Sequence, residues 1–576
     1  MIERLIDNFD LLADAPNGVS ELRKMILQLA VQGKLVSQDP NDEPASELLK
    51  KIKIEKEKLI QEGILKAQKP LPSIKEDEIP FILPEGWQWV RMGEIQEFVN
   101  GYAFKSREYE NTGIGIVRIG DIQNGVITTE GMKYIRPDIR EELDDKLLVN
   151  PGDLVIALSG ATTGKLGFNN TNQTFLLNQR VGKINLLKIE PMYVYSYLTT
   201  KIKENLRISA GSAIPNLSTS QINNTLFPLP PIAEQKRIVA KVDQLMALCD
   251  ELESKQQEYN EKRLSVNASC LHLLTTASIK TQPMAEKRLF NNFDNLYTHP
   301  QTVTELKKAI LQLAVQGKLV QQDPNDEPAY LLLEKIKVEK ERLIKEGKIK
   351  KQKPFVPINE EDAPYTLPTN WVWMRFGKCV HGMTNGIYKP AKYYAEDGII
   401  CLRMYNIADG KINFEKVKRM ILTEAEVTQY ALETGDLLVN RVNSRELVGK
   451  AAVIPVLTEP VIFESKNIRV KFIDTSIDSK YVSIFFQTRE VRTVFEGDAK
   501  QTCGQASISQ PQIGNLALPL PPLAEQKRIV AKVDQLMALC DELEARLAQA
   551  QEDSESLAAS IVYHLCDQVT IEEVTS

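Results

Sequence analysis

The sequence predicts an α+β chain in which two mixed α/β domains alternate with long coiled-coil helices, the whole arranged as an internal repeat. Three observations carry this. Residues 22–36, LRKMILQLAVQGKLV, return almost unchanged at 306–320, and the following QDPNDEPA at 38–45 returns at 322–329, both at an offset of 284. The run LPPIAEQKRIVAKVDQLMALCDELE at 229–253 returns as LPPLAEQKRIVAKVDQLMALCDELE at 520–544, now displaced by 520 − 229 = 291, so the second repeat has gained 291 − 284 = 7 residues between its anchors. Between these near-identical flanks lie two divergent middles, 85–228 and 369–519, which alternate short apolar runs with Gly, Asn and Asp turns. Such self-similarity implies one supersecondary plan used twice. Identical flanks imply one physical job done twice, either the same packing or the same kind of partner, and divergent middles imply two versions of a related job.

Taken in order, each repeat opens with two helical patterns, about 20–36 and 45–63 in the first, separated by the turn-prone QDPNDEP. The mixed-charge stretches at 50–58 and 334–345 suit solvated helix faces. A Trp-x-Trp follows, Trp87 and Trp89 against Trp371 and Trp373, and opens each middle. The β-like runs are 116–119, 153–158 and 181–187 in the first middle, and 399–404, 436–439 and 451–454 in the second. Each long helix is expected to start just after a Pro-Pro pair, Pro230-Pro231 or Pro521-Pro522, because proline is tolerated in a first turn and breaks a helix interior. Ile238, Val242, Leu245, Cys249, Leu252, Gln256, Tyr259, Arg263 and Val266 fall at the alternating four- and three-residue steps of a heptad seam. Ile529, Val533, Leu536, Cys540, Leu543, Leu547, Ala550, Ser554, Leu557 and Ile561 do the same in the second repeat. A helix of about 45 residues is on the order of 65 Å long, a rod able to hold two domains apart.

Composition narrows the function. The 576 residues ask for about four structural units. With 71 Lys+Arg against 77 Asp+Glu the net charge is −6, which argues against a protein that coats nucleic acid by bulk charge. That charge is unevenly spread: residues 85–228 hold 15 basic and 15 acidic side chains and residues 369–519 hold 19 and 16, leaving −6 − 3 = −9 on the flanks. Seven widely spaced cysteines without a Cys-x-x-Cys pair, beside four histidines, argue against disulfides and structural zinc, and Cys249 and Cys540 read as small apolar seam residues. No apolar run reaches membrane-spanning length and the first residues lack a signal-peptide layout, so a cytoplasmic protein without a membrane partner is expected.

Catalytic patterns are missing. Residues 160–166, GATTGKL, have three residues between the glycines and a leucine after the lysine, where a phosphate-binding loop needs four and a Ser or Thr. Asp153 and Asp436 open β-like runs in the manner of nuclease carboxylates but lack an accompanying Glu-x-Lys.

What the middles do offer is polar loops carrying basic side chains. Arg or Lys reaches guanine O6 and N7, Asn or Gln brackets adenine, and Ser or Thr holds phosphate. On that chemistry the candidate DNA contacts in the first middle are Tyr102, Lys105 and Arg107, then Ser159, Thr162, Thr163 and Lys165, and then Asn178, Gln179 and Arg180. In the second they are Asn385, Tyr388 and Lys389, then Asn443, Ser444, Arg445 and Lys450, and Gln505 within the 500–505 loop.

The doubled QGKLV, QDPNDEPA, W-x-W and LPP-x-AEQ motifs around two dissimilar middles closely resemble the specificity (HsdS) subunits of Type I restriction-modification systems, with the repeated QGKLV segment most similar to the IB branch. The resemblance spans essentially the whole chain. It implies a pseudo-two-fold molecule with an N-terminal helical flank (1–84), a first target recognition domain (85–228), a central region of long helix and repeated flank (229–368), a second target recognition domain (369–519) and a C-terminal long helix (520–576). It further implies that the two long helices pair as an antiparallel coiled coil that fixes the gap between two half-sites in double-stranded DNA. The flanks would recruit two modification (HsdM) subunits, which bind S-adenosylmethionine and methylate adenine N6, and restriction (HsdR) subunits that use ATP and Mg. The chain itself would need no cofactor and catalyse nothing. Within the resemblance, GATTGK and NQR of the first middle look family-like, whereas the expected counterparts at 443–450 and 466–469 match poorly. Two other readings are a scaffold joining two protein-binding domains without DNA, and a stand-alone nuclease or methyltransferase, which salt-dependent duplex binding and a methyl-transfer assay distinguish.

Overall fold

The computed structural model describes residues 9–67, 69–123, 125–202, 216–278, 281–351, 353–359, 363–473, 477–502 and 505–567. The chain divides into two units: residues 1–258 with 551–576, and residues 259–550.

In the first unit the flank helices Gly18–Val31 and Ala45–Gln61 follow the expected segments. Strand Gln88–Arg91 then pairs antiparallel with Leu226–Leu229, in the register Trp89 to Pro228. This ribbon brings the two ends of the intervening domain side by side, so its interior can change without moving the flanks. That interior holds a six-stranded sheet (96–100, 181–186, 154–157, 166–168, 125–127, 122–123) and a four-stranded sheet (133–135, 114–117, 175–177, 148–149). The second unit repeats the plan with a ribbon of Val372–Arg375 and Ala517–Leu520, a four-stranded sheet (380–385, 467–472, 437–440, 451–453) and a three-stranded one (418–420, 394–402, 461–463).

The near-identity of the flanks has a packing cause. Glu234, at the AEQ motif and 1% exposed, accepts hydrogen bonds from Trp87 Nε1 (2.9 Å) and Gln38 Nε2 (3.1 Å), while Arg237 pairs with Asp42 at 2.7 Å. Gln235 donates to Pro230 O (2.9 Å) and accepts from Glu190 N (3.0 Å). The second unit rebuilds every contact: Trp371 Nε1 and Gln322 Nε2 donate to Glu525 at 3.0 and 2.7 Å, Arg528 pairs with Asp326 at 2.6 Å, and Gln526 bridges Pro521 O and Asp478 N. Three motifs distant in sequence are thus one lock that ties domain, flank and long helix together. Burial pushes both locking carboxyls up from the ordinary range.

Both long helices start where proline requires, as Ile232–Thr276 and Leu523–Asp567, each of 45 residues. The expected seam holds through 256 and 547 and then slips. Tyr259 and Val266 are 58% and 48% exposed, and the shielded positions are instead 260, 263, 267, 270, 271 and 274. Ala550 and Leu557 are likewise exposed, and 551, 554, 558, 562 and 566 face inward. Two consecutive four-residue steps, 252–256–260 and 543–547–551, replace the four–three alternation. A strict seven-residue repeat forces 3.5 residues per turn, and one extra four-residue step restores the 3.6 of a straight helix. The slip coincides with the boundary between units, at 258/259 and 550/551. Gln256 and Arg263 stay on the shielded side: Gln256 donates to Ala13 O, and Arg263 meets His299 Nδ1 at 2.9 Å. Cys249 and Cys540 are buried in the seam, where desolvation pushes their thiols up. Cys503 lies outside the described residues.

Candidate nucleic-acid interface

In the first unit three polar loops are stitched into one surface by backbone hydrogen bonds. The Tyr102 amide donates to Leu177 O (2.8 Å), Gln179 N to Tyr102 O (2.9 Å) and Leu158 N to Arg180 O (2.8 Å). Gly101 permits this approach, since a Cβ there would lie 2.0 Å from Asn178 O. The structure therefore brings 101–107, 159–165 and 178–180 together. Lys165, Gln179 and Arg180 are exposed, and their side chains make no hydrogen bond or ion pair among the described residues. Tyr102 is 44% exposed and packs edge-on against Phe104, while Lys105 and Arg107 are exposed around the turn Ser106–Glu108. Two predicted residues shape the loops: buried Thr163 donates to Gly160 O (2.6 Å), and buried Asn178 accepts from Arg180 N (3.4 Å). The hydroxyls of Ser159 and Thr162 are buried without a hydrogen-bond partner among the described residues, a cost an incoming acceptor would relieve.

The second unit uses the same stitching with other side chains. Ile387 N donates to Phe463 O (3.0 Å), Ser465 N to Ile387 O (2.9 Å) and Arg441 N to Lys466 O (2.8 Å). The counterpart of Asn178-Gln179-Arg180 is therefore Glu464-Ser465-Lys466. The expected counterpart at 466–469 is displaced: Arg469 sits within strand Asn467–Phe472 and donates to the carbonyls of Ala431 and Gln429. Tyr388 is 80% exposed, whereas Lys389 is held by Glu426 (2.5 Å) and lies 4.6 Å from the Tyr393 ring centre. Asn385 accepts from Gln510 Nε2 (3.0 Å) and Asn443 donates to Asn440 (3.0 Å), so both are engaged in fixing loops. Ser444 is half-buried and its amide is capped by Asn443 (2.9 Å). Arg445 is exposed but donates to Glu496 O (3.2 Å), and Lys450 is half-buried at the loop's far end. Gln505 is exposed on a strand whose Ser507 and Ala506 pair with Val442 and Asn443, which sets it beside that loop.

Sequence reasoning missed Arg118 and Arg403, each placed directly after the strand Ile114–Val117 or Tyr394–Leu402. Their signal was positional: 403 − 118 = 285, nearly the repeat offset. Asp153 and Asp436, considered as nuclease carboxylates, accept the amides of Asn150 (2.7 Å) and Glu433 (2.9 Å) and serve as turn caps. Burial lifts the Asp436 carboxyl to about 6.

A model of the Type I restriction modification DNA specificity domain matches residues 84–261 and 403–551. The chain belongs to this family. The EcoEI specificity subunit of Escherichia coli is 33% identical over 564 residues, covering 94% of this chain and 93% of the relative. The EcoAI specificity subunit of Escherichia coli is 33% identical over 566 residues with the same coverage. Among solved structures, the HsdS subunit from Thermoanaerobacter tengcongensis shows 18% identity and a TM-score of 0.40, covering 84% of this chain and 97% of that one. The protein is thus a Type I specificity subunit, a DNA-recognition component with two recognition domains and not an enzyme.

Proposed function

We propose that this specificity subunit reads a bipartite, asymmetric site in double-stranded DNA, one half per recognition domain, with domains at 85–228 and 369–519 between helical regions 1–84, 229–368 and 520–576. The observation that carries the reading is that two loop surfaces share one backbone frame and differ in side chains: Asn178-Gln179-Arg180 stands where the second unit has Glu464-Ser465-Lys466. One frame with two chemistries suits two different half-sites.

The long helices form an antiparallel coiled coil that sets the gap. In support, the first unit's core combines Val242 and Cys249 of one long helix with Ala558, Val562 and Cys566 of the other, and the second unit's core combines Val533 and Cys540 with Cys270, Leu271 and Leu274. Each unit thus takes the first half of one helix and the last half of the other.

Each flank recruits one modification subunit. Ala240, Gln244, Ala247, Leu248 and Glu251 form one exposed helical stripe that recurs identically as Ala531, Gln535, Ala538, Leu539 and Glu542, with Leu248 and Leu539 54% and 55% exposed. Internal packing does not require identity at exposed positions, whereas two copies of one partner do. Those partners bind S-adenosylmethionine and methylate adenine N6, a base that must leave the stack to react, and restriction subunits with ATP and Mg complete the complex.

Mapping methylated adenines genome-wide in a strain carrying the intact system tests the reading. Two unlike half-sites at a constant gap are expected; methylation without a bipartite motif would refute it.

A further inference from the structure

Arg403 closes strand Tyr394–Leu402 and enters the second unit's loop surface. Its Nε donates to Glu464 Oε2 at 2.9 Å, and the other carboxylate oxygen accepts the Met404 amide at 3.3 Å. Glu464 is 7% exposed, so this carboxylate is fixed from below. The guanidinium carbon lies 5.9 Å from the Tyr394 ring centre and 5.6 Å from that of Tyr405, an exposed tyrosine. The two Nη groups make no hydrogen bond among the described residues, and the side chain is 30% exposed. The surrounding backbone belongs to the candidate surface itself, since Ser465 N bonds Ile387 O and Arg441 N bonds Lys466 O.

Resting on the DNA-recognition reading, we propose that Arg403 reads a guanine in the half-site of the second domain, with Glu464 as its positioning residue. General attraction to the phosphate backbone comes from net positive charge. Arg403 shows the opposite: a carboxylate neutralises it, which weakens general attraction to the backbone, while the ion pair and the two rings fix the plane of its fork. A fixed guanidinium with its Nη edge free matches the paired acceptors O6 and N7 of guanine and meets the amino group of adenine unfavourably.

The first domain lacks the device at the equivalent place. Arg118 spends Nε and Nη2 on Asp121 (3.3 and 3.2 Å) and Nη2 again on Gly131 O (3.1 Å), and the residue corresponding to Glu464 is Asn178, which offers no charge. The guanine assignment therefore applies to the second half-site alone.

The experiment selects binding sites from randomised duplex DNA with the full chain assembled with its modification subunits, comparing wild type with Arg403→Lys, Arg403→Gln and Glu464→Gln. Wild type should enrich a bipartite motif with a guanine in one half. Both Arg403 variants should lose the preference for that guanine by about tenfold or more while every other position and the gap persist. Glu464→Gln, which keeps the arginine, should weaken the same position alone by a few-fold, and it decides the matter should the Arg403 variants fail to assemble. An unchanged motif in the variants overturns the assignment, and a uniform loss of affinity with the motif retained overturns it in favour of a phosphate contact. Absence of a motif in wild type would instead refute DNA recognition itself.

Discussion

Replacing Glu234 by alanine tests whether the repeated flank motifs are a structural lock. The substitution removes the acceptor for the Trp87 indole N–H and the Gln38 amide, and Trp87 is itself buried. An orphaned buried donor costs about 1–3 kcal/mol and the second bond about 1 kcal/mol more. Against this stands the relief of no longer burying a carboxyl that desolvation opposes. The net expectation is about 2–3 kcal/mol, which is roughly a 30- to 150-fold rise in the local opening equilibrium. Because a two-unit chain does not unfold in one step, hydrogen exchange of the ribbons is the suitable assay. Glu234→Ala should speed exchange at Gln88–Arg91 by that factor and leave Val372–Arg375 unchanged, and Glu525→Ala should do the reverse by a similar factor. The equality matters, because the twin clusters match within 0.4 Å at the Gln–Glu bond (3.1 against 2.7 Å) and within 0.1 Å at the Trp–Glu bond (2.9 against 3.0 Å). Changes below about threefold at both sites, or equal acceleration of both ribbons by either variant, would refute the lock.

Three further outcomes are expected. The Asp436 carboxyl, raised to about 6 by burial, binds its proton more tightly in the folded state than in the unfolded chain, where about 3.9 is usual, so its contribution is complete below pH 4 and is lost as pH rises through 6. Asp436→Asn should therefore flatten the pH dependence of the opening free energy of strand Leu437–Asn440, read by hydrogen exchange, by about 3 kcal/mol at most over that window; an unchanged profile counts against it. Gly101→Ala places a Cβ 2.0 Å from Asn178 O and should force apart the loops of the first domain, so that site selection loses one half-site and keeps the other. Leu248→Glu changes an exposed side chain and should shift stability by less than about 0.5 kcal/mol, yet lower the bound modification subunits from two to one in native mass spectrometry.

Much of the fold is legible in the sequence alone. The helix starts at 232 and 523 follow from the Pro-Pro pairs, the β-runs expected at 116–119 and 436–439, which form strands Ile114–Val117 and Leu437–Asn440, from local alternation, and the polar loops from their turn residues, because each depends on neighbours a few positions away. The seam was legible only to its midpoint. Extrapolating heptads assumes one constant register, whereas exposed Tyr259 and Leu557 show that the register slips by one residue where the packing partners change.

The sequence by itself determined that a single plan is used twice, that the long helices begin at proline, and that divergence is confined to two middles. Only the tertiary structure decided what the repetition is for. The Trp87–Glu234 contact joins residues 147 apart and Arg403–Glu464 joins residues 61 apart. No local pattern reports which buried carboxylate will meet which indole or guanidinium, because that choice is made when sheet and helix pack and each buried polar group must find its partner.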